Sequence, residues 1–133
     1  MRLIVCIDDR DGMSFCGRRL SRDAALTAHI LELTKGSRLW MTADSAKLFP
    51  NEKVIVDDNC LQLAGEGEFC FAEVKVDADI QHKLESVYLY HWNRAYPSTT
   101  KFPRELLMHM HLVESEDFPG NSHEIITLEK YEL

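Results

Sequence analysis

Arg2–Ile7 reads RLIVCI, and the absence of any polar face in these six residues decides what kind of sheet the chain builds. A short, β-branched, almost continuously apolar run is a strand buried on both faces, which places it at the centre of a sheet covered on both sides. Working outward, Asp8 to Leu20 is a loop carrying DDRDG and GRR. Ser21 is then the predicted N-cap of a first helix, with Asp23 in its first turn and Gly36 as its stop. Leu26, Ile30 and Leu33 fall at i, i+4 and i+7 and define the inner face of that helix.

Two more strands follow, RLWMT (38–42) and KVIVD (53–57), separated by a helical turn from Ala43 to Phe49 that Pro50 ends. A short helix through Leu61 and Leu63 stops at Gly65, EFCFAEVKV (68–76) is a fourth strand, and Asp77 caps a turn containing Ile80 and Leu84. In SVYLYHWN (86–93) the two-residue period puts Tyr88, Tyr90 and Trp92 on one face and Val87, Leu89 and His91 on the other. LLMHMHLVES alternates and is predicted to be a long strand, pairing across Pro119 and Gly120 with EIITLEKYE (124–132). Strands alternating with helices imply parallel βαβ units, and the two final strands imply an antiparallel addition. The expected fold class is α/β: one domain over residues 1–133, with a mixed, mostly parallel central sheet, flanking helices and a C-terminal antiparallel hairpin.

Composition agrees with one soluble domain: 133 residues, 45% hydrophobic and 28% charged. No apolar run approaches the roughly 20 residues that span a bilayer, and the start lacks a leader-like basic segment, so a cytoplasmic protein without a membrane partner is expected. The net charge of -7 argues against a nucleic-acid partner. Residues 1–53 hold 9 Lys/Arg against 7 Asp/Glu and residues 54–133 hold 6 against 15, so an anion site belongs in the first half. Cys6, Cys16, Cys60 and Cys70 form no C-x-x-C pair and read as reduced structural thiols.

Several side chains are candidates for chemistry. The acidic cluster Asp8, Asp9 and Asp11 follows the buried first strand, where open α/β sheets place ligands, and D-x-D-G from Asp9 to Gly12 resembles the nucleophile loop of haloacid-dehalogenase-type phosphatases. Thr42 and the Asp57–Asp58 pair resemble that family's later motifs at a spacing that is short for them. His109 and His111, two apart on a predicted strand, are weak metal-ligand candidates beside the alternative of a wet strand face. Arg18, Arg19 and Arg22 surround the helix start, where they suit a phosphate or carboxylate or are neutralised by nearby acids. Asp23 is either an inward-facing ligand anchor or a complement to the helix dipole.

Taken in order, LIVCIDDRDGM, LSRDAAL, RLWMT, KVIV, VYLYHWN, KFP, LVESEDF and EIITLEKYE resemble the strands, first helix and terminal hairpin of a shortened dihydrofolate reductase. The resemblance implies that family's fold and sets Asp23 at the position of the acid that binds the pterin ring. It also shows departures. Thr42, Ala43, Asp44 and Ser45 stand where the family has a Gly-Arg-x-Thr phosphate turn, Phe71 to Val74 stand for its Gly-Gly turn, and Arg18 and Arg19 replace Pro-Trp. The DDR-GM, SRD, LWM, AGEG-FCF and WNR-YP segments are similar to short Firmicutes proteins that carry the name ribonuclease Z. The H-x-H-x-D-H motif of ribonuclease Z proper is met here only by His109 and His111 of HMHLVE.

The expected function is therefore a binding or regulatory protein with a dihydrofolate-reductase-like sheet and no cofactor. Its ligand is a small anionic or pterin-like molecule in a cleft lined by Asp23, Arg18, Arg19 and Trp40. One alternative is a small metal-dependent hydrolase, a phosphatase or nuclease, using Asp9 and Asp11. Another is self-association through the aromatic strand and terminal hairpin into a homo-oligomer.

Overall fold

The computed structural model describes all 133 residues. Seven strands form the main sheet, in the spatial order β5 (Ile55–Val56), β4 (Leu39–Met41), β6 (Phe69–Phe71), β1 (Arg2–Ile7), β7 (Ser86–His91), β10 (Ile125–Glu132) and β9 (His111–Pro119). From β5 to β7 the pairs are parallel, and β7–β10–β9 are antiparallel. The interior position expected for RLIVCI is what the sheet has: β1 lies between β6 and β7. Its alternate residues feed two cores. Leu3, Val5 and Ile7 join Val87 and Leu89 in one, while Ile4 joins Tyr88, Tyr90 and Trp92 with Leu26 and Ile30 in the other. Each fully buried large side chain contributes about 1.5–3 kcal/mol, so these two layers dominate stability.

The helix α1 spans Ala24–Leu33 and supplies Leu26 and Ile30 to the second core. Two short helices, α2 (Ala43–Ala46) and α3 (Cys60–Leu63), follow β4 and β5, where helical turns were expected. No helix is long and apolar enough to cross a membrane.

Three expectations are corrected. The segment read as a loop from Asp8 to Leu20 contains β2 (Gly12–Phe15) and β3 (Arg18–Arg19), which join β8 (Thr100–Lys101) in a second, three-stranded sheet. The fourth strand stops at Phe71, because Thr42 caps α2 and ends β4 beside it, and Glu73 turns its carboxylate to Arg19 and Ser45. LLMHMHLVES is not one strand. Arg104–Leu107 forms a 3-10 turn that buries Leu106, and β9 begins only at His111. The period of LLMHM belongs to that turn, with Leu106 buried and Met110 packed on the same core.

β7 is interior, and Tyr88, Tyr90 and Trp92 are buried, so the aromatic strand has no free surface for self-association. β9 is the sheet edge and is exposed along nearly its whole length.

Candidate functional site

The polar side chains worth attention gather where β1 and β7 end, the edge at which parallel sheets present their loops. Asp23 is the N-cap of α1 rather than a first-turn residue, with φ -154 and ψ 126. It is buried as Leu26 and Ile30 are, but as the cap and not as a member of their helical stripe. Its Oδ1 accepts from the backbone N–H of Ala25 at 2.8 Å and of Leu26 at 3.4 Å. From this place before the helix the carboxylate reaches the turn between β9 and β10. There it accepts from the N–H of Asn121 at 2.9 Å, Ser122 at 2.8 Å and His123 at 3.1 Å, and from the His123 Nδ1 at 3.0 Å. The Ser122 hydroxyl adds a further bond at 3.1 Å. The Asp23 side chain is 0% exposed. Burial works to raise its pKa, but the bonds from Asn121, the His123 ring, Ser122 and Ala25 outweigh that and hold it well below the ordinary carboxylate range.

His123 continues the network. Its ring stacks on Trp92 with centroids 4.7 Å apart, and Nε2 meets the Tyr96 hydroxyl at 2.8 Å and the Ser21 hydroxyl at 3.3 Å. The Tyr96 N–H in turn donates to Asp8 Oδ2 at 2.9 Å. Asp8 is buried and also accepts from the N–H of Arg10 at 2.9 Å and of Gly12 at 2.6 Å. Burial opposes its ionised form, and the Tyr96, Arg10 and Gly12 N–H groups more than offset this, so its pKa is lowered. Asp8 folds the DDRDG loop, a structural role that the reading of Asp8, Asp9 and Asp11 as one acidic cluster did not separate from its neighbours. The available signal was its place at the end of a buried strand, four residues before a glycine. His123 and Tyr96 gave no local signal.

The other sequence candidates do not converge. Asp9 is exposed, while Asp11 is held by the Arg104 guanidinium at 2.8 and 2.9 Å, so the two do not form a carboxylate pair. His109 lies in the turn before β9 and His111 at its first residue, both exposed, so the strand geometry expected for them is absent. No group of three or more His, Cys, Asp or Glu residues is arranged to hold a metal ion. Arg18 is exposed on β3. The Trp40 indole N–H donates to Glu68 at 3.0 Å, and its ring packs against the core on the side away from α1. Asp23, Arg18, Arg19 and Trp40 therefore do not line one cleft.

Arg19 is neutralised, though not by the aspartates near it in sequence. It grips Glu73 with Nε at 3.0 Å and Nη2 at 3.0 Å, and Asp44 with Nη2 at 2.9 Å. The Glu73 bond raises the guanidinium pKa despite partial burial. Ser45 donates its hydroxyl to Glu73 at 2.7 Å. Glu73, its side chain 16% exposed, thus joins the segment after β6 to the start of α2 after β4.

Three cavities flank this edge. One of about 430 Å³ is lined by Arg10, Phe15, Tyr96, Ser98 and Lys101. A second of about 320 Å³ lies over Trp92 and His123, beside Arg94 and Glu124. The third, about 220 Å³, touches Asp23 beside Arg22, Thr27 and Lys47. A larger hollow of about 550 Å³ sits at the other end of α1 among Lys35, Glu52 and Lys53, remote from the polar network.

No family model and no curated protein matches the chain. Among solved structures it resembles a dihydrofolate reductase from Enterococcus faecalis, described as complexed with NADP(H) and RAB-propyl. The TM-score is 0.68 and the identity 12%, over 98% of this chain and 94% of that one. The fold is that of dihydrofolate reductase; at this identity the likeness extends to nothing finer.

Proposed function

We propose that this chain is a binding or regulatory protein that takes a small anionic molecule on a dihydrofolate-reductase-like scaffold, without a nicotinamide dinucleotide. The observation that carries the reading is the Glu73 carboxylate. It lies between the segments that follow β4 and β6, where the departures in sequence set the family's phosphate turns, and it already engages Arg19 and Ser45. A pyrophosphate brought there would meet a fixed negative charge and find the Arg19 guanidinium taken. Of the two ligand classes expected, the anion is favoured over the pterin, because both Asp23 oxygens already accept several N–H bonds and have no lone pair free for a ring.

Calorimetry with NADPH tests the reading. The expected result is a dissociation constant weaker than about 100 μM, which corresponds to less than about 5.5 kcal/mol of binding free energy. A low-micromolar constant, or dihydrofolate-dependent oxidation of NADPH, would overturn it and restore a reductase.

A further inference from the structure

We propose that the cavity between Arg10, Phe15, Tyr96 and Lys101 is a binding site for a small aromatic carboxylate. This rests on the reading above and narrows it. The cavity holds about 430 Å³, within the range of small-molecule sites. Its walls come from the loop after β1, from β2 and from the segment around β8. The Tyr96 N–H bond to Asp8 at 2.9 Å, Thr99 N–H to Ser14 O at 2.8 Å, Cys16 N–H to Thr99 Oγ1 at 2.8 Å and Phe102 N–H to Asp11 O at 2.8 Å hold these segments together. The site is therefore built before a ligand arrives.

Its charge runs against that of the chain. Neither Arg10 nor Lys101 pairs with a carboxylate, and Lys101 Nζ donates only to the Ser98 hydroxyl at 2.7 Å. Of the acids in the adjoining loop, Asp11 is paired with Arg104, Asp9 is exposed, and the ionised Asp8, bonded by three backbone N–H groups, attracts Lys101 without pairing with it. Two cations without carboxylate partners in a chain of net charge -7 call for an anion.

The apolar part of the wall sets the rest of the ligand. Phe15 is 46% exposed at the end of β2 and lines the same cavity as Tyr96, whose hydroxyl bond to His123 at 2.8 Å fixes its ring. Aromatic faces beside cations suit a flat ring bearing a carboxylate, since the ring is covered while the charge meets Arg10 and Lys101.

The probe is 2-naphthoate, titrated by calorimetry into the purified chain, with cyclohexanecarboxylate and inorganic phosphate in parallel. The expected result is a millimolar or tighter constant for 2-naphthoate and about tenfold weaker binding in Arg10→Gln/Lys101→Gln. Phe15→Ala should weaken 2-naphthoate and leave cyclohexanecarboxylate, the poorer ligand, little changed. Both variants should stay close to the parental unfolding midpoint, because Arg10, Phe15 and Lys101 are exposed and Lys101 loses its bond to Ser98 and an attraction to Asp8 that makes no ion pair. No binding at about 10 mM, equal binding in the double variant, or phosphate binding in preference to 2-naphthoate would overturn the site. Failure here leaves the exclusion at Glu73 standing. Tight NADPH binding that is indifferent to Arg10 and Lys101 would overturn that exclusion and leave this cavity standing.

Discussion

Asp23→Asn is expected to lower the unfolding free energy by about 2–4 kcal/mol, a loss of roughly 10 °C in midpoint for a chain of this size. The substitution keeps the shape and replaces one acceptor oxygen with an NH₂ donor. That donor would face N–H groups from Asn121, Ser122 and His123, together with the His123 ring nitrogen. Buried donors would be left facing a donor, which costs far more than losing a dipole interaction at a helix end, worth about 0.3–1 kcal/mol. Because the side chain is 0% exposed, salt should change the loss little. The dependence on pH follows from the depressed native pKa. A carboxyl that ionises more readily in the native state stabilises it fully above the ordinary unfolded value, about 4, and the contribution fades as pH falls through the lower native value. The gap between parent and variant should be full at pH 7 and smaller at pH 3. Urea unfolding at the two pH values measures it. A gap under about 1 kcal/mol that salt abolishes would reduce Asp23 to a complement of the helix dipole.

Asp23 also marks how far the sequence could be read. β1, β7 and α1 were legible because their signals are local: an unbroken apolar run, a two-residue alternation and a helical stripe, each paired with burial on the expected face. The same local reading placed Asp23 on the inward face of a helix whose cap it is, since Ser21 two residues earlier is an equally good cap by type. What settles the matter is a turn 98 to 100 residues further on, which offers three backbone N–H groups and carries no side-chain signal for them. Arg19 follows the same logic. Its acids were sought among near neighbours, and Glu73, 54 residues away, takes it. β2, β3 and β8 escaped because two- to four-residue strands have too few positions to show a period, and β8 pairs with β2 from the far side of β7 in the chain.

Gly120→Ala is expected to cost about 2–4 kcal/mol, although it adds one methyl group to a partly exposed turn. A Cβ at Gly120 would stand 2.4 Å from the His123 carbonyl oxygen and 3.1 Å from its carbonyl carbon, with Asp23 Oδ2 at 2.9 Å. The first two neighbours are backbone, so they move only if the whole 120–124 turn moves, and that turn presents the N–H groups that Asp23 accepts. The methyl group therefore lengthens a set of buried bonds instead of displacing one flexible side chain. Gly36→Ala is the control. Its φ of +83 makes any side chain strained, but nothing lies within 4 Å of the new Cβ, so about 1–2 kcal/mol is expected. If Gly120 acts through the Asp23 latch, combining Gly120→Ala with Asp23→Asn should cost at least about 1 kcal/mol less than the sum of the two single losses, as substitutions sharing one network do. Full additivity, or a Gly120→Ala loss no larger than that of Gly36→Ala, would show that the turn relaxes without disturbing the carboxylate. The tie between α1 and the C-terminal hairpin would then rest on the stacking of His29 on Phe118, with centroids 4.2 Å apart, rather than on Asp23.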